Sequence, residues 1–249
     1  MDYHERIVPG GSIWKENAAN HMQRYRYACQ FVSGMRVLDA ACGVGYGSQI
    51  LLRAGAREVL GVDIAQDALE IARKQFSSPG LQFMRDDCES LTTLQGSFDV
   101  VVAFECVEHF QRLSRFLDRI RDLLRDSGVL VCSTPNPRFS QPNGNGKPSN
   151  PFHVREYALD EFRDLLQEHF GDVSIAGQGF TAAYRRTLRL SELQGNPFMR
   201  LGRIAQRLLR GRAPANEPIF LTEGDYVISE ANPEDAFFFV AVCRHPRRN

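Results

Sequence analysis

Three titratable side chains follow an apolar run at 98–104 (FDVVVAF). They are Glu105, Glu108 and His109, at positions i, i+3 and i+4, which share one face of a helix. Two neighbouring carboxylates repel each other unless a cation or a proton lies between them. A divalent metal meets this condition, because glutamate and neutral imidazole are both metal ligands. His153, which follows a long loop, is a fourth candidate ligand.

A glycine-rich turn predicts a ligand site of a different kind. The apolar run 35–41 (MRVLDAA) leads into the glycines of 43–47 (GVGYG). Glycine permits positive φ and lets a ligand approach the backbone closely. A dinucleotide would favour a glycine at position 48, where this chain has serine. Asp39, just before the turn, would repel a diphosphate and attract a cationic ligand.

Acidic residues also follow the next two apolar runs. Asp63 ends the second run, about 20 positions after the glycines, and this separation suits a carboxylate on a ribose diol. Asp87, in 86–88 (DDC), is placed to accept a hydrogen bond from an exocyclic amine. The predicted ligand has a positive charge, a ribose and an adenine-like base, and S-adenosylmethionine fits each part. The alternative is that Asp39 and Asp63 only cap the helices that follow them.

The segments between these residues predict the elements that position them. Short apolar runs alternate with amphipathic helical patterns, which is typical of parallel βαβ units. Strands buried on both faces read as continuous apolar runs, as these do. We therefore expect an α/β fold with a doubly wound sheet, whose ligands bind beyond the carboxyl ends of the strands. The predicted strands are 35–41, 58–62, 81–84, 98–104, 129–133, 172–176 and 236–243, and the predicted helices include 48–54, 66–76, 112–125 and 158–169.

Several of these segments together resemble class I S-adenosylmethionine-dependent methyltransferases. They are 37–47 (VLDAACGVGYG), 62–63 (VD), 86–91 (DDCESL), 98–104 (FDVVVAF) and 124–133 (LRDSGVLVCS). The resemblance implies methyl transfer and a Rossmann-like, mostly parallel sheet of seven strands, the last antiparallel. It implies that the glycine turn holds the methionine part of the cofactor. The cofactor-binding residues implied in this way are Tyr25, Asp39, Gly43, Gly45, Asp63, Ile64, Asp87, Cys88 and Phe104.

The segment 21–25 (HMQRY) resembles a helix that precedes the first strand in such enzymes and contacts the cofactor carboxylate. Arg24 is therefore either a cofactor contact or a solvated helix charge.

The Glu-x-x-Glu-His segment resembles two metal-dependent groups, the ubiquinone-pathway O-methyltransferases and the enzymes that methylate the terminal 2′-hydroxyl of small RNAs. This resemblance implies that Glu105, Glu108, His109 and His153 are ligands of a divalent metal, such as magnesium, and that a hydroxyl is methylated. We expect Glu108, His109 and His153 to be catalytic. In the alternative no metal binds, the glutamate favours the dipole at a helix start, and His109 or His153 is the general base.

Charge and cysteine pattern narrow the function. Thirty basic and thirty acidic residues give a formal net charge of zero, which disfavours a nucleic-acid partner. We expect a small-molecule hydroxyl acceptor, such as a sugar, glycan or natural product, with an RNA 2′-O-methyltransferase as an alternative. The chain has no signal-peptide pattern, no apolar run long enough to span a membrane and no C-x-x-C pair. These features favour a reduced, cytoplasmic protein.

We expect one methyltransferase domain over 1–249, with a helical segment at 1–34, an active-site loop at 134–157 and an insertion at 180–232 that caps the substrate. The stretch 185–212 contains eight arginines and one acidic residue. It is either a helix that contacts an anionic membrane surface or a packed helix, or dimer contact, with a solvated basic face.

Overall fold

The apolar runs of the first half of the chain form a parallel sheet. The computed structural model describes residues 14–140, 148, 150–186 and 222–248. Its strands are β1 (Arg36–Ala40), β2 (Glu58–Asp63), β3 (Leu81–Arg85), β4 (Phe98–Ala103), β5 (Leu124–Pro135), β6 (Phe170–Phe180), β7 (Tyr226–Ser229) and β8 (Phe238–Pro246). Its principal helices are α1 (Trp14–Ala28), α2 (Tyr46–Arg53), α3 (Gln66–Gln75), α4 (Leu113–Leu123) and α5 (Leu159–His169).

The eight strands have the order β3-β2-β1-β4-β5-β8-β6-β7. Strands β1 to β5 pair in parallel, and β8 inserts antiparallel between β5 and β6. The predicted α/β fold, with a mostly parallel sheet and an antiparallel last strand, is confirmed. Strand order reverses between β1 and β4, which creates a crevice at the carboxyl ends of these strands.

The described residues form one strand more than the predicted seven. Strand β7 lies inside the predicted insertion, 180–232, and pairs antiparallel with β6 at the edge of the sheet. It has only four residues, too few for a clear two-residue alternation. The remainder of the insertion, 187–221, lies outside the described residues, as does most of the basic stretch 185–212.

Apolar side chains cover both faces of the sheet. Leu38 and Val101 point into one core, where Phe116 of α4 packs, and all three side chains are fully buried. Val37 points into the other core, where Leu51 of α2 packs. This arrangement explains why the central strands have no polar alternation: each of their faces is covered by helices. Within the described residues, no helix combines the length and the apolar character that a membrane span requires.

Candidate active site

A cavity of about 450 Å³ lies at the carboxyl ends of β1, β2 and β4. Its walls come from α1, the glycine turn, the end of β4 and the segment that follows β5. Seven of the predicted site residues line it, namely Gly43, Asp63, Phe104, Glu105, Glu108, His109 and His153. Six others do not, namely Tyr25, Asp39, Gly45, Ile64, Asp87 and Cys88.

The glycine turn has the backbone geometry that its sequence predicts. Gly43 and Gly45 have φ values of +54° and +82°, and Ala41 just before them has φ of 60°. The Asp63 carboxylate, at the end of β2, accepts a hydrogen bond from the Gly43 N–H at 2.8 Å. This hydrogen bond holds the turn in shape beside the cavity. The left-handed backbone at Ala41 is uncommon for a residue other than glycine, and such residues concentrate at functional sites.

Asp39 and Tyr25 support the turn from beneath instead of lining the cavity. Asp39 is fully buried and accepts hydrogen bonds from Tyr25 Oη at 3.0 Å and Ser48 Oγ at 2.6 Å. A Cβ atom added at Gly47 would lie 1.9 Å from the Tyr25 ring. Burial raises the pKa of Asp39 from its ordinary 3.8 to about 7, and the two hydrogen bonds oppose the rise.

Three further residues predicted to bind the cofactor lie on the β2–β3 side. Ile64 is 59% exposed, and Asp87 is also exposed. Cys88 is buried, and its Sγ accepts a hydrogen bond from the Ala41 N–H at 3.1 Å. The cysteine therefore fixes the backbone just before the glycine turn.

Arg24 is a buried wall of the cavity and not a solvated helix charge. Its side chain is 1% exposed. One guanidinium nitrogen donates to Gln178 Oε1 at 2.5 Å, another lies 3.4 Å from Glu105 Oε1, and the group stacks on Phe238 at 4.4 Å. Its Nε has no hydrogen-bond partner among the described residues.

A contact between two cavity residues was not predicted from the sequence, although one of them, His21, lies in the segment 21–25. The Tyr46 hydroxyl forms a hydrogen bond with His21 Nδ1, and both side chains line the cavity. Burial, and then the nearby Arg24 charge, lower the pKa of His21 well below its ordinary range, so this imidazole is neutral. The sequence spacing of His21 and Tyr46 did not predict this contact, because it forms between two helices, α1 and the first turn of α2.

Glu105 differs from the prediction that it shares a helix face with Glu108 and His109. The chain forms only a short 3-10 helix, Val107–His109, and Glu105 precedes it with a left-handed φ of 52°. Its Oε1 accepts a hydrogen bond from Ser133 Oγ at 3.1 Å and faces Arg24. Glu105 is thus turned toward α1.

Glu108, His109 and His153 converge as predicted. One potential ligand atom from each lies within 4.8 Å of the other two. Glu108 is 1% exposed, yet neither carboxylate oxygen has a hydrogen-bond partner within the described part of the chain. Burial and then the Glu105 charge raise its pKa well above the ordinary range. A buried carboxylate without partners requires a proton or a cation.

The segment after β5 is joined to the short helix by backbone contacts. The Val154 and Arg155 N–H groups donate to the Glu108 carbonyl at 2.8 and 3.2 Å. His109 Nδ1 lies 3.0 Å from the Phe152 carbonyl oxygen, and the His109 and His153 ring centroids are 5.1 Å apart. These contacts bring His153 to Glu108 across a long sequence separation.

The strand order, the glycine turn after β1 and the acidic end of β2 match the fold that the resemblance to class I S-adenosylmethionine-dependent methyltransferases implies. Residues 38–132 match the family model described as a methyltransferase domain. Over these residues the chain is therefore similar to a methyltransferase domain.

Relatives with curated names agree with this class. A protein of Mycobacterium tuberculosis, named a probable S-adenosylmethionine-dependent methyltransferase, is 35% identical over 70% of this chain and 62% of its own length. The chain thus spans about 62% of that relative. The ubiquinone biosynthesis O-methyltransferase of Ruegeria pomeroyi is 38% identical over 42% of each chain.

Solved structures share the fold at low identity. An S-adenosylmethionine-dependent methyltransferase from Mesorhizobium loti covers 92% of this chain and 99% of its own, with a TM-score of 0.59 and 18% identity. Magnesium protoporphyrin IX methyltransferase from Synechocystis, solved with bound SAH, covers 69% of this chain and 82% of its own, with a TM-score of 0.52 and 22% identity.

Proposed function

We propose that this protein transfers the methyl group of S-adenosylmethionine to a hydroxyl oxygen of a small molecule, assisted by a divalent metal. The single observation that carries the proposal is the buried Glu108 carboxylate, which lacks hydrogen-bond partners among the described residues. It lies beside His109 and His153 in the wall of the cavity.

The walls of the cavity suit the methionine and ribose parts of the cofactor. The Gly43 turn and Asp63 suit the methionine and ribose parts, as in the resemblance. Asn20 and Arg24 lie one helical turn apart on α1, and Asn20 Oδ1 and Arg24 Nε are both buried without hydrogen-bond partners in the described chain. An acceptor beside a charged donor complements the amino and carboxylate groups of an amino acid. We therefore assign the methionine end of the cofactor to this part of α1.

The donor set fits a transition metal better than magnesium. It contains one carboxylate and two imidazoles, whereas magnesium favours oxygen ligands and imidazole suits zinc, iron and nickel. Glu105 takes no part in this set, because it faces Arg24 and Ser133. When bound, such a cation lowers the pKa of a hydroxyl and orients two adjacent oxygens.

The chain's own residues would align the reactants and receive the proton. The acceptor oxygen attacks the methyl carbon, the carbon–sulfur bond breaks, and its electron pair stays on sulfur as a neutral thioether. The hydroxyl proton leaves to a base. With no cation bound, the groups of the cluster that can accept this proton are the Glu108 carboxylate and the Nε2 atoms of the two histidines. With a cation held by these atoms, the proton would leave to solvent water. Alignment of oxygen, carbon and sulfur in the cavity supplies much of the rate.

The acceptor class rests on the cluster and on the named relatives. The relative of this chain from Ruegeria pomeroyi is named an O-methyltransferase, and this name supports oxygen as the methylated atom. A vicinal diol or catechol, in a sugar, glycan or natural product, presents the two adjacent oxygens that the cluster suits. The neutral net charge favours such a molecule over RNA.

A metal-free version of the same reaction has one observation in its favour. The Asn150 side-chain amide lies 2.9 Å from His153 Nε2, at the lone pair that a metal would use. His153 would then act as the general base for the acceptor hydroxyl, with Asn150 displaced by the substrate.

Stringent chelation distinguishes the two versions. We expect chelated enzyme to lose turnover on catechol acceptors, to bind S-adenosylmethionine in calorimetry as before, and to regain turnover with Mn²⁺ or Co²⁺. Full turnover after chelation would remove the metal and leave the general-base version. Absence of S-adenosylmethionine binding would remove the methyl-transfer proposal itself.

A further inference from the structure

A second buried carboxylate lies next to the cluster and has no part in the account so far. Glu156 has a side chain that is 5% exposed and lines the cavity. Its Oε1 is 2.7 Å from His153 Nδ1, and Ser140 Oγ donates to its Oε2. Both oxygens are therefore satisfied by the chain, in contrast to those of Glu108.

The hydrogen bonds around His153 determine which of its ring nitrogens carries the proton. Asn150 Oδ1 accepts from the Phe152 N–H at 3.0 Å, so the amide nitrogen of Asn150 is the atom that faces His153 Nε2 at 2.9 Å. An amide nitrogen can only donate, which requires a lone pair on Nε2. An ionised carboxylate can only accept, which requires a proton on Nδ1. The two contacts, on opposite sides of the ring, demand the same tautomer.

The tautomer decides whether His153 can do any chemistry in the cavity. A neutral imidazole has one lone pair, and the hydrogen bond made by one nitrogen sets which nitrogen carries it. With the proton on Nε2, this nitrogen could neither bind a metal nor accept a proton. Carboxylates that hold a histidine in this way commonly accompany metal-binding histidines, and their loss weakens the site.

We propose that Glu156 is a positioning residue that keeps His153 in the Nδ1–H tautomer and so leaves Nε2 for the chemistry of the cluster. The use of Nε2 rests on the proposed function, whereas the tautomer does not. In this role Glu156 acts through His153. Ser140 holds the second oxygen of the carboxylate and thereby fixes its rotation.

The tautomer can be measured directly by nitrogen NMR on protein labelled with ¹⁵N-histidine, without metal or cofactor. In the parent protein we expect His153 to show an unprotonated Nε2. Glu156→Ala and Glu156→Met each remove the acceptor, and methionine also fills the space of the glutamate in case the alanine variant does not fold. We expect both variants to lose the pure Nδ1–H signature.

Glu156→Gln keeps a carbonyl oxygen that can accept the Nδ1 proton, so we expect it to restore the signature. Glu161→Ala is the matched control, because Glu161 pairs with the exposed Arg155. On turnover, we expect the alanine and methionine variants to lose about 10- to 100-fold in kcat, with the KM for S-adenosylmethionine unchanged.

A pure Nδ1–H signature in the alanine or methionine variant would overturn the inference, as would its loss in Glu156→Gln. These results are independent of turnover. A parent protein with the expected tautomer but no methyl transfer would refute the proposed function and leave the role of Glu156 intact.

Discussion

At the scale of single residues, the buried carboxylates of the site differ in the number of hydrogen bonds that they accept. Asp39 and Glu156 each receive two hydrogen bonds, whereas the Glu108 carboxylate receives none from the described residues. A fully satisfied carboxylate fixes its neighbours, and an unsatisfied one awaits a ligand. This contrast separates the supporting carboxylates from the one that we place in the chemistry.

Glu108→Gln tests the reactive carboxylate. We expect kcat to fall by about 10²-fold or more, which is the usual loss for a removed acid–base group. Binding of S-adenosylmethionine should persist, because Glu108 is not in the glycine turn. The free energy of unfolding at neutral pH should rise or stay level, since the cost of burying or protonating the carboxylate is removed without loss of a hydrogen bond from the described residues. Glu70→Gln, at an exposed position of α3, is the control. Unchanged kcat in Glu108→Gln would contradict the account.

Asp39 predicts a pH dependence of stability with a definite sign. In the folded protein its pKa is about 7, against an ordinary value of 3.8, so between these values the folded state holds a proton that the unfolded state has lost. The contribution of Asp39 to the free energy of unfolding is fully present below pH 3.8 and declines as the pH rises to about 7. At 1.36 kcal/mol per pKa unit, the decline amounts to about 4 kcal/mol at most.

Urea unfolding of the parent and Asp39→Asn across this pH range measures the decline. We expect the difference in unfolding free energy, parent minus variant, to fall as the pH rises and to level off above pH 7. A difference that stays constant from pH 4 to pH 8 would show that Asp39 is ionised in the fold.

At the scale of elements, the glycine turn and α2 depend on close contact with α1. Gly47→Ala would place a methyl group inside the Tyr25 ring, and overpacking of this kind costs about 1–3 kcal/mol. We expect a lower melting temperature and weaker S-adenosylmethionine binding, because Tyr25 also holds Asp39 beneath the turn. Gly224→Ala meets nothing closer than 3.8 Å and serves as the control. Equal cofactor affinity in the two variants would contradict this account of the turn.

The elements also show what a sequence can and cannot reveal. The strands β1 and β4 were predictable because they are buried on both faces and therefore uniformly apolar. Strand β7 was not, because it is short and lies at an edge. A short helix at 107–109 replaces the helix predicted from residue 105. The i, i+3, i+4 pattern depends only on residue types, so it could not predict the left-handed φ at Glu105.

The contacts between residues far apart in the sequence could not be predicted for a different reason. Arg24 meets Gln178, and His153 meets Glu156 and Asn150, through tertiary packing. The residue types of the cluster of Glu108, His109 and His153 carried a signal, because carboxylates and imidazoles are rarely gathered after an apolar strand. The roles of Arg24 and Glu156 depend on burial, and single charges in amphipathic segments are usually solvated.

At the scale of the whole molecule, ligand binding should stabilise the fold. A ligand that binds only the folded state raises the free energy of unfolding by about 2.7 kcal/mol at 100 times its Kd. We expect S-adenosylmethionine and its demethylated product to raise the melting temperature and NAD⁺ to leave it unchanged. Stabilisation by NAD⁺ alone would favour a dehydrogenase. A dimer, contact of 185–212 with a membrane surface, and a cytoplasmic location stay predictions.

The most direct test of the central claim is a crystal structure with the demethylated cofactor product and Co²⁺, examined for anomalous scattering. We predict the nucleoside beside Asp63 and one cobalt peak at about 2 Å from a Glu108 oxygen and from His109 and His153 nitrogens. A cavity that holds the nucleoside but shows no cobalt at Glu108, at saturating Co²⁺, would contradict the metal centre. A cavity that excludes the nucleoside would contradict the account as a whole.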